Sequence, residues 1–279
     1  MILNTAGTIS RKRMGRIAFL NVLPVYHALE SGIIQHDYEI ISAAPAELNR
    51  RMAEADLLAS SVSCVEYARR SENYLLLSDL SISSDGPVRS VLFLSRTPLE
   101  DTWDKEILLS SQSHTSVLLL RMLLREVYGV EGINTCVGRP GSDIEAGRIP
   151  DAFLAIGDEA LRFGRHPAYP HRLDLGEVWK KHTGLPFVFG LWIARRDAGV
   201  DSPGRLLRAS RDWGLSHREE ILRVAGAAYP YLSLSDLEDY FSCLEYSLGE
   251  RELAGLELFW QKLAAAGEIA VSPELVFDD

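Results

Sequence analysis

Cysteine is scarce in this 279-residue chain: the three copies, Cys64, Cys136 and Cys243, are odd in number and far apart. They offer no disulfide framework and no metal-ligand spacing, so a reducing compartment is expected. Histidine is sparse too, with seven scattered copies. No His, Asp and Glu cluster has ligand spacing, so no metal is expected. Positive charge is in deficit, with 29 Lys and Arg against 39 Asp and Glu and a formal net charge of −10. The basic cluster RKRMGR reads as a solvated lead-in to a strand. Nucleic acid is not an expected partner, because phosphate binding needs clustered cations. No P-loop, G-x-G-x-x-G or G-x-S-x-G elbow occurs. No stretch approaches the roughly 18 uninterrupted apolar residues of a membrane span. The opening MILNTAGTISRKR lacks the apolar core and cleavage site of a secretory leader. The expectation is a cytoplasmic protein with no membrane partner.

What is present is ordinary globular chemistry, 47% apolar and 24% charged residues, in a length that suits two domains of roughly 100 to 150 residues. Short apolar runs alternate with amphipathic segments over the first two thirds, the pattern of strands feeding helices around a mostly parallel sheet. Strands are expected at 16–20, 39–43, 57–60, 74–79, 88–95, 106–109, 133–137, 152–156 and 188–194, with helices near 46–55, 63–70, 115–128 and 176–182. From Ser202 onward, apolar spacing of three and four predicts a helical tail, which must pack back on the first domain. The strands Val88–Ser95 and Val188–Ala194 bracket a middle segment and read as crossovers. The lobes are then 14–95 plus 196–279, and 96–195, with ligand in the cleft between them.

The joints are unusual. In RIAFLNVLPVY, Asn21 stands between a strand and a helix that Pro24 opens, and it can cap that helix, touch a ligand, or both. ASSVSC places Ser60, Ser61 and Ser63 at a second joint, LLSSQSHTS places Ser113, Thr115 and Ser116 at a third, and SISSDGPVRS adds Ser90. Each hydroxyl is individually more common as a helix cap than as a ligand contact. Together they form an anion site that needs no Lys or Arg, since hydroxyls and free N–H groups at helix starts attract negative charge. A small carboxylated ligand fits that chemistry. His114 stands within this candidate site, and Asp85 and Asp158 lie near joints, with turn-forming or capping roles the commoner reading for both acids.

The ordered motifs RIAFLNVLPVYHALE, APAELNRRMAEADLLASSVSCVEYARR, YLLLSDLSISSDGPVRSVLFLSR, SHTSVLLLRMLL, DAFLAIGDEAL and DLGEVWKKHTGLPFVFGLWIARR resemble the chorismate dehydratase family, which opens the futalosine route to menaquinone. The similarity runs from about residue 16 to 196 and weakens in the tail. It implies an α/β, periplasmic-binding-protein-like fold of type II, with two lobes joined by two crossover strands and a helical C-terminal tail. It also implies dehydration of chorismate to 3-[(1-carboxyvinyl)oxy]benzoate without a cofactor.

The resemblance assigns Asn21 and Ser90 to the reacting centre and puts Gly157 beside the substrate, while the joints at Ser60–Ser61 and at Ser113, Thr115 and Ser116 are expected to hold the two substrate carboxylates. The 1,4-dihydroxy-6-naphthoate synthases share the fold, and that family is expected to carry a histidine base where this chain has Gly157, and a CPND-like joint where it has LNVLP. A non-catalytic carboxylate-binding or sensing protein remains the alternative from another class. The sequence leaves open the oligomeric state, the kinetics and the role of the C-terminal helices.

Overall fold

The computed structural model describes residues 2–3, 9–10, 12–198 and 203–278. Two five-stranded sheets carry the architecture, beside a small antiparallel pair of β1 (Ile2–Leu3) and β2 (Ile9–Ser10). The first sheet contains β3 (Arg13–Ile17), β4 (Glu39–Ala43), β5 (Ala59–Ser63), β6 (Tyr74–Ser84) and β12 (Phe187–Arg195), in the order β4-β3-β5-β12-β6. The second contains β7 (Val91–Ser95), β8 (Glu106–Ser110), β9 (Asn134–Gly138), β10 (Ala152–Ile156) and β11 (His171–Asp174), in the order β9-β8-β10-β7-β11. Both sheets follow one plan. In each, the strand that enters from the other half of the molecule, β12 or β7, runs antiparallel to both its neighbours.

The sequence forces this layering because β5, β7 and β10 are buried at every position, as strands covered on both faces must be. Helices α1 (Leu23–Glu30), α2 (Pro45–Ala53) and α3 (Cys64–Arg69) serve the first sheet. Helices α4 (His114–Tyr128), α5 (Pro140–Glu145), α6 (Gly157–Phe163) and α7 (Leu175–Thr183) belong to the second half. Tyr26 pins α1 by donating to the Gly15 carbonyl at 2.8 Å and accepting from the Trp192 indole at 2.9 Å.

Sheet membership moves the expected lobe boundaries. Val91–Ser95 pairs within the second sheet and Phe187–Arg195 within the first, so the lobes do not divide as 14–95 plus 196–279 against 96–195. The chain crosses in the loops 85–90 and 184–186, ahead of each strand, and each whole strand then pairs in the sheet it enters. Strand ends shift as well. β3 stops at Ile17, which leaves Phe19 and Asn21 on the joint, and β5 continues to Ser63. β11, an edge strand with the sequence HRLD, carries no apolar pattern that announces it.

The tail forms α8 (Gly204–Ser216), α9 (Arg218–Ala228), α10 (Leu234–Ser242) and α11 (Glu250–Ala265). α8 lies on α1 so tightly that a Cβ on Gly214 would stand 2.1 Å from the Pro24 carbonyl oxygen. Phe259 of α11 meets Trp179 and Phe187 edge-on. The segment after α10 continues β6 sideways: Ser81 and Ser83 donate backbone N–H groups to Tyr246 and Glu245 carbonyls at 3.0 Å each. The tail thus packs on the first sheet, as its apolar spacing predicts.

Candidate active site

A cavity between the two sheets collects residues from six connections, Pro45 of β4–α2 among them, and from β12. Ile17, Phe19 and Asn21 come from the β3–α1 joint, Ser63 from β5–α3, and Val88 and Ser90 from the first crossover. Ser113, Thr115 and Ser116 come from β8–α4, Gly157 from β10–α6, and Phe189 and Gly190 from β12. The enclosed volume is about 70 Å³, small beside the roughly 300–1,000 Å³ of drug-sized ligand sites, so the walls stand close together.

Asn21 does not cap its helix. It lies inside a 3-10 turn, Leu20–Val22, and the N-cap of α1 is Val22 with no side-chain bond. The Asn21 Oδ1 is buried without a partner, and its backbone carbonyl accepts from the Tyr246 hydroxyl at 2.9 Å. An unsatisfied buried acceptor costs about 1–3 kcal/mol, a cost that a ligand donor removes. Of the two roles the sequence allowed, the capping one is absent from the structure.

Ser90 is 3% exposed, and its hydroxyl makes a long 3.4 Å bond to the Val88 carbonyl. Its own carbonyl accepts from the Gly157 N–H at 2.7 Å, and the buried Tyr240 phenol lies beside it. Arg89, just before it, has φ of +61°, a strained value for a side-chain-bearing residue. Asp174 holds that strain: its carboxylate accepts from the N–H groups of Val88 and Arg89 at 3.0 and 2.7 Å while capping α7 through Gly176 and Glu177. Burial pushes the Asp174 carboxyl up, against the pull of those four backbone donors.

On the opposite wall, Ser113 is the N-cap of α4, accepting from the Ser116 N–H at 3.1 Å and donating to its hydroxyl at 2.9 Å. The capping role and the cavity position coexist in one residue. Thr115 reaches across to the first lobe, where its hydroxyl accepts from the Val65 N–H at 3.3 Å. At the β5–α3 joint the cavity residue is Ser63, whose hydroxyl is buried and unpartnered. Ser60 and Ser61 do not line the cavity. Both are interior strand positions, with Ser60 donating to the Ser61 carbonyl and Ser61 accepting from the Ile17 N–H, each at 2.9 Å. The joint lies beyond them because β5 runs past its last apolar-looking residue.

Gly157 has φ of +55°, and a Cβ there would lie 2.8 Å from the Phe19 ring. The left-handed backbone favours glycine and the close contact with Phe19 leaves no room for a side chain. The ionisable residues near the joints have other occupations. Asp85 lies between Lys180 and Arg251, first of all Lys180, which hold its carboxyl below the usual range. His114 is held below its usual range by burial and by Arg69, and does not line the cavity. Among the described residues, no three His, Cys, Asp and Glu side chains are grouped to hold a metal. Phe19, Phe189 and the tail tyrosines carry no signal in the sequence, whereas Ser63 is marked by its place in ASSVSC but stands outside the residues expected to bind substrate.

The family described as menaquinone biosynthesis matches residues 12–265. The chain is 29% identical to the chorismate dehydratase of Thermus thermophilus over 90% of this chain and 94% of that one. It is 24% identical to the 1,4-dihydroxy-6-naphtoate synthase of the same organism, over 91% and 94%. Among solved structures it superposes on an Archaeoglobus fulgidus protein with a TM-score of 0.78 at 20% identity, covering 94% of this chain and 100% of that one. The Escherichia coli periplasmic aliphatic sulphonate binding protein matches with a TM-score of 0.64 at 13% identity, over 96% of each chain. This chain has the periplasmic-binding-protein fold, and it belongs to the menaquinone biosynthesis family.

Proposed function

We propose that this protein is a chorismate dehydratase, a hydro-lyase that converts chorismate to 3-[(1-carboxyvinyl)oxy]benzoate and water in the futalosine route. The observation that carries the reading is the pairing of Asn21, with its unpartnered buried Oδ1, and Ser90 on one cavity whose Gly157 wall admits no side chain. The sister synthases are expected to keep a histidine at that wall, and here Phe19 occupies the space it would need. The higher identity to a dehydratase than to a synthase from one organism points the same way.

Chorismate carries a ring carboxylate, an enolpyruvyl carboxylate, a C4 hydroxyl and an allylic C3 hydrogen. Loss of the C3 proton sends the electron pair through the diene toward the ring carboxylate. Expulsion of the C4 hydroxyl then completes the benzene ring, and the proton and hydroxyl leave as water. Hydroxyl and amide donors aimed at developing charge contribute about 3 to 4 kcal/mol each in a dry cleft. Ser63 and the Ser113–Ser116 turn offer such donors for the carboxylates. The first-turn N–H groups of α4 other than that of Ser116, which Ser113 caps, add to them, because helix geometry leaves them without intrahelical partners.

No side chain among the cavity-lining residues is a usual general base. The substrate supplies one: its enolpyruvyl carboxylate is tethered through one ether oxygen to C3, and such intramolecular groups reach effective molarities of about 10⁵ M or more. Asn21 and Ser90 hold that geometry and assist departure of the hydroxyl. Purified protein given chorismate should abolish its diene absorbance and accumulate the aryl enol ether, identified by mass. Stoichiometric binding with no loss of absorbance would make the protein a binding or sensing module instead.

A further inference from the structure

Asp158 is the second residue of α6, adjacent to the cavity residue Gly157, yet its carboxylate is directed elsewhere. Oδ1 accepts from the backbone N–H of Leu20 at 2.9 Å, and Oδ2 accepts from the hydroxyl of Tyr229 at 2.7 Å. Three parts of the molecule therefore meet on one side chain: α6 of the second lobe, the β3–α1 joint of the first, and the end of α9 in the tail. Leu20 is flanked by Phe19 and Asn21, both on the cavity wall. The adjacent backbone repeats the arrangement, with the Gly157 N–H bonded to the carbonyl of Ser90. Two consecutive residues of α6 thus hold the two segments that carry Asn21 and Ser90.

Resting on the dehydratase reading for its kinetic arm, we propose that Asp158 is a positioning residue: braced by Tyr229, it fastens the Phe19–Asn21 turn to the second lobe and so sets where the Asn21 amide meets the substrate. A buried carboxylate beside an active site also invites the role of general base. Geometry separates the two. Both Asp158 oxygens are occupied by protein donors, and the side chain borders the neighbouring groove with Ser110, Gln112 and Tyr231. Fastening needs an acceptor for Leu20 and a partner for the phenol. It does not need a negative charge.

The neutral isostere is therefore the decisive variant. In Asp158→Asn the amide oxygen can accept from Leu20 and the NH₂ can donate to the Tyr229 hydroxyl, so kcat stays within about fivefold of wild type. Asp158→Ala loses both bonds, and kcat falls by about 30-fold or more while product affinity changes by less than about threefold, because reaction geometry rather than ground-state binding is lost. Tyr229→Phe added to Asp158→Ala costs little more, as for members of one network. Hydrogen exchange gives a readout independent of turnover: Asp158→Ala speeds exchange in the segment 17–26 and not across the first sheet, and Asp158→Asn restores it. Equal, large kcat losses in Asp158→Asn and Asp158→Ala would identify a base and overturn the proposal, as would unchanged exchange at 17–26. If wild type does not turn over chorismate, the dehydratase reading falls and the exchange result alone decides for or against the fastening role.

Discussion

The ring of Phe19 closes over Gly157: a side chain at 157 would begin 2.8 Å from that ring, on a backbone already at φ of +55°. One residue comes from the first lobe and the other from the second, so this contact lies between the halves and limits what the cavity wall can carry. A left-handed conformation costs a side-chain-bearing residue about 1–2 kcal/mol before any clash.

Gly157→Ala is therefore expected to lower stability by about 1–3 kcal/mol and kcat on chorismate by at least tenfold, read by thermal unfolding and steady-state kinetics. Phe19→Ala in the same chain relieves the clash and recovers part of both losses. A Gly157→His variant with wild-type stability and turnover would refute this account of the wall.

Asn21 should show the opposite pattern. Its side-chain oxygen has no protein partner, so Asn21→Ala removes a buried unsatisfied group and folds at least as stably as wild type, while turnover drops by about 100-fold or more. A melting temperature that fell together with activity would make Asn21 structural.

Two serines two residues apart should separate stability from binding. Ser61 accepts from the Ile17 N–H, so Ser61→Ala orphans a buried donor and costs about 1–3 kcal/mol of stability. Ser63 is unpartnered in the cavity, so Ser63→Ala leaves stability intact and raises KM. Identical effects from the two would remove Ser63 from the binding site.

The contrast between those serines also shows what the sequence could convey. Asn21, Ser90, Ser113, Thr115, Ser116 and Gly157 all line one cavity because strand-to-helix joints in a two-lobed α/β chain converge on the cleft, and apolar run followed by small polar residue marks such joints. Ser60 and Ser61 were misplaced for a physical reason. A serine hydroxyl can bond to nearby backbone, as Ser60 does to the Ser61 carbonyl, and so be fully buried in a central strand whose serine-rich end reads as a joint. The lobe boundaries failed because composition marks a strand but not the sheet that receives it. The tail's part in the site was invisible, since the hydroxyl holding the Asn21 backbone belongs to Tyr246, 225 positions away.

Glu159 supplies a pH-dependent test. Burial pushes its carboxyl up to about 7, although the Gly141 N–H it accepts from acts in the other direction. The unfolded chain releases this proton near the usual value of about 4.3, so the folded state binds it more tightly. That stabilisation is fully present below the unfolded pKa and lost as pH rises through about 7. Glu159→Gln keeps the acceptor and cannot ionise. Its melting temperature should match wild type near pH 4.5 and exceed it increasingly toward pH 8. A difference that stayed constant across this range would mean that Glu159 ionises normally in the folded protein.

The central claim is that chorismate is dehydrated with its own carboxylate as the base, and kcat in a panel of variants tests it most directly. Asp85→Asn, Asp158→Asn and His114→Asn should each remain within about tenfold of wild type, roughly 1.4 kcal/mol of barrier, while Asn21→Ala and Ser90→Ala fall much further. A loss of several thousandfold in any of the first three, in a variant that still folds and binds product, would identify a protein base and contradict the account.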